Sequence, residues 1–223
     1  ITIITVVHNN VNTVNDALKS LYSQSYKLFE HIIIDGASTD GTTQLIKKNL
    51  DSKSIFISEP DRGLYDALNK GLAQASGELI GILHSDDLYA YQDALLDVAN
   101  NYKEKNFDIL YGDLKYVKAD NISKVIRLWK PGKFNTRKLS YGWMPPHPTF
   151  FVKKELVIEH GKYNQKYSIS SDYDFMVRML KVDSIKISYM PKTIVLMRVG
   201  GASNRNLRSI LKKSYEDSQI IKE

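Results

Sequence analysis

The sequence predicts a doubly wound α/β protein, a single domain on a mixed, mainly parallel central sheet flanked by helices, and three observations lead there. Short apolar runs bounded by turn residues alternate with stretches of helical spacing. The first, second and fourth runs are almost entirely apolar, as strands buried on both faces of a parallel sheet must be. The composition, 43% hydrophobic and 25% charged over 223 residues, is that of one globular unit.

The strands are expected at 1–7, 31–35, 55–58, 79–83 and 109–112. Residues 13–23 read as the first helix, opened by Thr13 and Asp16 in the spacing of a capping box. Residues 42–50 follow a Thr-Asp-Gly turn and read as the second. Leu64, Ala67, Leu68, Gly71, Leu72 and Ala75 fall on one helical stripe, and so do Leu88, Tyr91, Leu95, Val98, Ala99 and Tyr102. These four strand–helix units make a doubly wound half. Beyond Asp113 the rhythm changes: 115–141 is basic, a strand is expected at 150–152 and a helix at 171–182. Two further strands, 185–189 and 194–197, precede a Gly200-Gly201 turn and an amphipathic helix at 207–221. With no linker or repeat to divide the chain, the second half is expected to complete the same sheet.

Composition narrows the chemistry. Without cysteine there are no disulfides, thiolate zinc sites or thiol nucleophiles, which fits a reducing, cytoplasmic compartment. The uncharged run 1–15 carries His8, Asn9, Asn10, Asn12 and Asn15 and is too short to span a membrane; it lacks the basic start of a signal peptide. Residues 1–100 hold 7 Lys+Arg against 13 Asp+Glu, whereas the rest holds 24 against 12. An acidic half suits a divalent metal and a basic half an anionic partner, against the plainer reading of a solvated lysine-rich surface.

Open α/β sheets bind ligands at the carboxyl ends of their strands. Those ends carry His8-Asn9-Asn10, residues 35–40, Glu59-Pro60-Asp61-Arg62-Gly63 and His84-Ser85-Asp86-Asp87. One aspartate at such a place ordinarily caps a helix or closes a turn; acid at three successive ends suggests more. The adjacent Asp86 and Asp87 would repel unless a cation or partner neutralised them, and Mg²⁺ or Mn²⁺ held by one or two carboxylates plus substrate phosphates does so. Asp87 has capping of the next helix as a rival role.

Taken in order, these segments carry a resemblance. Residues 3–9 (IITVVHN), Asp35 with Ser38-Thr39-Asp40-Gly41-Thr42, residues 59–71 (EPDRGLYDALNKG), residues 75–78 (ASGE) and Asp86-Asp87 resemble a family 2 glycosyltransferase of the GT-A, Rossmann-like fold. The likeness is close over about the first 90 residues. It is looser through residues 147–151 (HPTFF), residues 171–175 (SDYDF) with Arg178, and residues 200–203 (GGAS).

The resemblance implies an inverting transfer of a hexosyl or N-acetylhexosaminyl group from a nucleotide-sugar, most often a UDP-sugar, to a hydroxyl. The donor would bind residues 1–113 and the acceptor 114–223. It further implies that Thr5, Val7, His8 and Asn9 line the base and ribose pocket, that Asp35 binds the base, and that Asp61, Arg62, Asn69 and Ser85 face the donor. The start of the helix after Arg62 suits pyrophosphate. Asp86 would be the metal ligand, with Asp87 beside it, and Asp172 the general base, with Asp174 as fallback and helix capping as the rival role. The chain departs from the family pattern at His84, where the first DxD aspartate would stand, and at Ser171, where an acid usually precedes the base.

Outside those motifs, Trp143 and Tyr141 could stack on an acceptor sugar or simply pack. His147 is a metal or phosphate contact or a structural histidine, and Arg198 a phosphate ligand or surface charge. The eight Lys+Arg of 115–138, against Asp120 alone, fit peripheral work on anionic lipid at the inner face of the cell membrane, with a lipid-linked acceptor and a role in surface polysaccharide or glycolipid synthesis. The 207–221 helix would lie on that surface. Nucleic acid is not expected, because the acidic half would repel it. A sugar-phosphate nucleotidyltransferase would show a glycine-rich loop after the first strand, where this chain has His8-Asn9-Asn10-Val11. A non-catalytic sugar-nucleotide or nucleic-acid module would more naturally have lost Asp86 or Asp172.

Overall fold

A computed structural model describes residues 1–199 and 207–222, with the side chains of the last helix described from 210 to 221. Its strands are β1 (Thr2–Val7), β2 (Glu30–Asp35), β3 (Ile55–Ser58), β4 (Leu79–Ile82), β5 (Leu88–Tyr89), β6 (Ile109–Val117), β7 (Val125–Trp129), β8 (Phe151–Lys153) and β9 (Ile187–Arg198). The helices are α1 (Val14–Tyr22), α2 (Thr42–Asn49), α3 (Leu64–Gln74), α4 (Ala94–Lys105), α5 (Lys154–His160), α6 (Ser171–Leu180) and α7 (Leu207–Lys222).

All the strands join one sheet in the order β3-β2-β1-β4-β8-β6-β9-β5, with β7 on β6. β1 to β4 run parallel to one another, as do β6 and β9; β8, β5 and β7 are antiparallel to their neighbours. The expected mixed, mainly parallel sheet is therefore present, and the second half of the chain completes it. Successive residues of a strand face opposite sides, so Ile4 and Val6 of β1 pack toward α3 while Ile3 and Val7 pack toward α1 and its neighbours. Both sets are buried, and truncating one such isoleucine to alanine costs about 2–5 kcal/mol.

Four local expectations are corrected. Residues 88–102 are not one helix: Leu88 and Tyr89 pair with Leu196 and Val195, Ala90 N donates to the Ile194 carbonyl (2.9 Å), and α4 begins only at Ala94. The two late strands are one, β9, whose register to β6 slips where Met190 faces Gly112 and Thr193 faces Asp113. Pro191 falls in that slip, where no ladder N–H is required of it. The Thr13 hydroxyl makes no cap and is spent on Asn10 Oδ1 (2.7 Å) and the Ser85 carbonyl (3.1 Å). Leu64 is 46% exposed and Tyr65 takes its place on the buried stripe of α3. The basic 115–141 segment contains the end of β6 and the hairpin strand β7, and α5 adds a helix the sequence did not suggest. The Gly200-Gly201-Ala202-Ser203 segment lies outside the described residues.

Candidate active site

The carboxyl ends of β1 and β2 are laced together. Asn9, at φ 49°, donates its backbone N–H to Ser38 Oγ (2.8 Å) and accepts from Thr39 N (2.8 Å) through its side chain. Asn10 donates its N–H to Thr42 Oγ1 (2.8 Å) and its amide to Ser85 Oγ (2.8 Å), tying this end to that of β4. Asp35 is buried and accepts from the hydroxyls of Ser38 (2.5 Å), Thr43 (2.7 Å) and Ser58 (2.7 Å). Burial alone would raise its pKa, but these bonds outweigh it and hold the carboxyl below its ordinary value.

Above this lacework, His8 is exposed at the end of β1. A Cβ at Gly36 would collide with the Asp61 carboxylate and lie 3.5 Å from His8 Cβ, so the three residues stand together at the cleft outside the strand ends, and a larger residue at 36 would displace the Asp61 side chain. Asp61 also accepts from Gly63 N (2.8 Å) in the turn before α3, and Gly63 takes φ 112°, a left-handed value that suits glycine. Arg62 is exposed and paired with Asp66 at 2.9 Å.

At the end of β4 the two carboxylates part company. Asp86 is half-buried, and among the described residues nothing hydrogen-bonds its carboxylate. Asp87 is 1% exposed, and among the described residues neither of its oxygens has a hydrogen-bond partner. Burial, then the neighbouring Asp86, push the Asp87 carboxyl well above its ordinary range, with Arg198 acting the other way. Hard, unsatisfied oxygens suit Mg²⁺ or Mn²⁺. Among the described residues no cluster of three or more His, Asp or Glu side chains could hold a metal by itself. A cation here would take one or two protein oxygens, with Asp86 the better placed because Asp87 is sealed beside Arg198.

Asp172 opens α6, and its Oδ1 accepts from the Tyr65 hydroxyl (3.1 Å). Burial raises its pKa, which the Tyr173 backbone N–H, the Tyr65 bond and the Lys213 charge offset only in part. Tyr65 stacks on Tyr163 at 5.8 Å, the Tyr163 hydroxyl lies 2.9 Å from His147 Nε2, and the His147 ring lies 5.8 Å from that of His84. A run of rings thus joins the Asp86 end of β4 to Asp172. Both histidines are held neutral by burial, the His147 pKa being lowered to about 3.

Other expected site residues have structural employment. Thr5 is buried against His31 Nε2 (3.0 Å) and Val7 packs with Val14, Ile33 and Ile46, so neither side chain reaches the cleft. Asn69 exchanges two 2.9 Å bonds with the Tyr163 backbone, holding the ring run. Ser85 receives Asn10. Trp143 packs edge-on to Tyr111 (5.8 Å) and donates to the Pro131 carbonyl (3.2 Å), while Tyr141 is 89% exposed. Arg198 is buried, bonded to the Asp86 carbonyl (2.9 Å) and Asp16 (2.6 Å), and so is a brace for the 84–87 turn rather than surface charge. Asp174 pairs with Arg178 at 2.9 Å, away from Asp172's role. Sequence reasoning missed Tyr65 and Asn10, whose only signal was a polar atom inside a motif already noticed.

A family model described as "Glycosyl transferase family 2" matches residues 2–161. An uncharacterized glycosyltransferase of Mycobacterium tuberculosis (strain CDC 1551 / Oshkosh) is 31% identical over 180 residues, covering 80% of this chain and 68% of the relative. A "PGL/p-HBAD biosynthesis glycosyltransferase" of Mycobacterium bovis (strain BCG / Pasteur 1173P2) is 30% identical over 192 residues, 84% and 72% of the two chains. In fold, the chain is similar to S. aureus TarS 1-349 in complex with UDP, at TM-score 0.73 and 21% identity, covering 99% of this chain and 63% of that one. It is similar also to the mannosyltransferase PcManGT of Pyrobaculum calidifontis in complex with GDP-Man and Mn²⁺, at TM-score 0.69 and 19% identity, covering 98% and 62%. The chain spans 38% of the longer TarS chain.

Proposed function

Because the chain belongs to glycosyl transferase family 2, we propose that it moves a hexosyl or N-acetylhexosaminyl group from a UDP-sugar to an acceptor hydroxyl with inversion. The observation that carries the reading is the pairing of an unbonded Asp86 carboxylate with a proton-avid Asp172, joined by the ring run from His84 to Tyr65. In this scheme the donor lies over the His8–Gly36–Asp61 cleft, with Arg62 and the start of α3 facing its pyrophosphate. Asp35, committed to three hydroxyls, shapes the base pocket and reaches a base only by giving one up. Asp172 takes the acceptor proton as the acceptor oxygen attacks the anomeric carbon. The bond to the nucleoside diphosphate breaks on the opposite face. A Mn²⁺ or Mg²⁺ ion held by Asp86 and the donor phosphates would offset charge on the leaving diphosphate.

For the acceptor, we read a lipid-linked sugar at a membrane surface, in polysaccharide or glycolipid synthesis. The β6–β7 hairpin exposes Ile122, Val125, Ile126 and Leu128 among Lys118, Lys124, Arg127 and Lys130, the mixture that anionic lipid attracts. No helix among the described residues is long and apolar enough to cross a membrane.

Isothermal titration of UDP, GDP and dTDP, each with Mn²⁺ and with chelator, tests the donor site. Metal-dependent binding of UDP alone is expected. Preference for GDP would keep the reaction and change the donor, and no binding by any nucleotide would return the strand-end aspartates to a structural role.

A further inference from the structure

The helix that carries Asp172, α6, starts at Ser171 and is not capped by the side chain of the residue before it. Ser170, its N-cap residue, makes no side-chain cap bond, and its hydroxyl has no partner among the described residues. The turn that leads into the helix, residues 168–170, is held from α7 instead. Glu216, 5% exposed, accepts from the backbone of Ser168 (3.1 Å), Ile169 (2.9 Å) and Ser170 (2.9 Å), and from the Ser168 hydroxyl (3.2 Å). A carboxylate at this end also complements the helix dipole, and these bonds hold the Glu216 pKa below its usual value against the opposing effect of burial. From the other side, the Tyr65 hydroxyl reaches the Ile169 carbonyl (2.5 Å) as well as Asp172. The 168–172 turn is therefore gripped between α3 and α7.

We propose that Glu216 is a positioning residue for sugar transfer: by gripping three consecutive N–H groups of the turn before Asp172, it fixes where that carboxylate stands relative to the acceptor hydroxyl. The inference rests on Asp172 as the general base. It gives α7 a part in the chemistry beyond that of a surface helix, since Glu216 and Ile220 face inward while Leu211 and Tyr215 stay exposed. A displacement of about 1 Å at a reacting group costs on the order of 10²-fold in rate, so the grip matters more to turnover than to binding.

The test compares the wild-type chain with Glu216→Gln, Glu216→Asp and Asp172→Asn. Glutamine keeps the size, loses the charge and replaces one accepting oxygen by an NH₂ group that cannot accept from the N–H donors it faces; aspartate keeps the charge and falls short by one methylene. Two readouts are taken: UDP release from UDP-glucose and UDP-N-acetylglucosamine with Mn²⁺, and ¹³C titration of the Asp172 carboxyl, assigned by its loss in Asp172→Asn. The groups facing Asp172 are the Tyr173 backbone N–H, Tyr65 from α3, Tyr163, and Lys213 from α7, and none of them is substituted in either Glu216 variant. Both are expected to lower kcat about 10- to 100-fold with donor KM unchanged. The Asp172 carboxyl should titrate at lower pH in each, because a loosened turn lets water reach it. Wild-type turnover and titration in both Glu216 variants, with Asp172→Asn inactive, would overturn this inference alone. Full activity in Asp172→Asn would instead overturn the assignment of the base.

Discussion

The ends of β1 and β2 and the opposite rim of the cleft, from the end of β4 to the start of α6, are built from the same polar residue types and treat them differently. At the first, Asn9, Asn10, Asp35 and Asp40 spend their side chains on backbone N–H groups and neighbouring hydroxyls, and the carboxyl pKa of Asp35 sits below its ordinary value. At the second, among the described residues Asp86 has no donor and Asp87 is buried without a partner, and Asp172 is raised by burial against the Tyr173 N–H, the Tyr65 hydroxyl and the Lys213 charge. A satisfied carboxylate stabilises the fold and has little left to offer a substrate. An unsatisfied one costs stability and is available for a proton or a cation. The first rim is built as scaffold, and the second leaves its carboxylates open, as the proposed transfer requires.

The sharpest way to break this contrast is to neutralise one carboxylate from each rim. Asp172→Asn is expected to lower transfer about 10²- to 10⁴-fold while nucleotide affinity holds, read by UDP release beside calorimetry. Asp86→Ala is expected to weaken Mn²⁺-dependent UDP binding by about 10²-fold and leave the melting temperature level or higher, since it removes an unsatisfied charge. Asp35→Ala should do the reverse, costing about 1–3 kcal/mol in urea unfolding by stranding the Ser38, Thr43 and Ser58 hydroxyls. Its pH dependence has a definite sign. The folded pKa lies below the unfolded one, so the stabilisation is full above the unfolded value and is lost as pH falls through the folded value; in Asp35→Asn that acid-sensitive part should vanish. The smallest effect is expected from Tyr65→Phe, about a tenfold loss of kcat with unchanged donor KM; an unaltered kcat would move Tyr65 to the scaffold side.

Much of the first rim was legible in the chain. Runs such as Ile32-Ile33-Ile34 declare two-faced burial, and the turn residues after them mark the strand ends. β5 was not legible, because two residues have no period and pair with β9 only through contacts over a hundred positions away. Among the candidate site residues, the places of Asp61 and Asp86 at strand ends followed from strand order. Thr5 and Val7 did not, since alternation along β1 turns both into the core. Tyr65 and Glu216 act across 107 and 46 positions, and nothing local distinguishes a tyrosine that packs from one that also holds a carboxylate.

α3 has a consequence for how the chain can vary in length. Asp61 to Gly63 lead into it beside the cleft, Tyr65 in its first turn touches Asp172, and Asn69 four residues on holds Tyr163. Each helical residue advances 1.5 Å and turns about 100°. Inserting or deleting a single residue between positions 65 and 69 would therefore swing one of these side chains off its partner in residues 163–172 while leaving the other in place. The helix works as a ruler between the two rims, so its surface positions are open to substitution while its length is not.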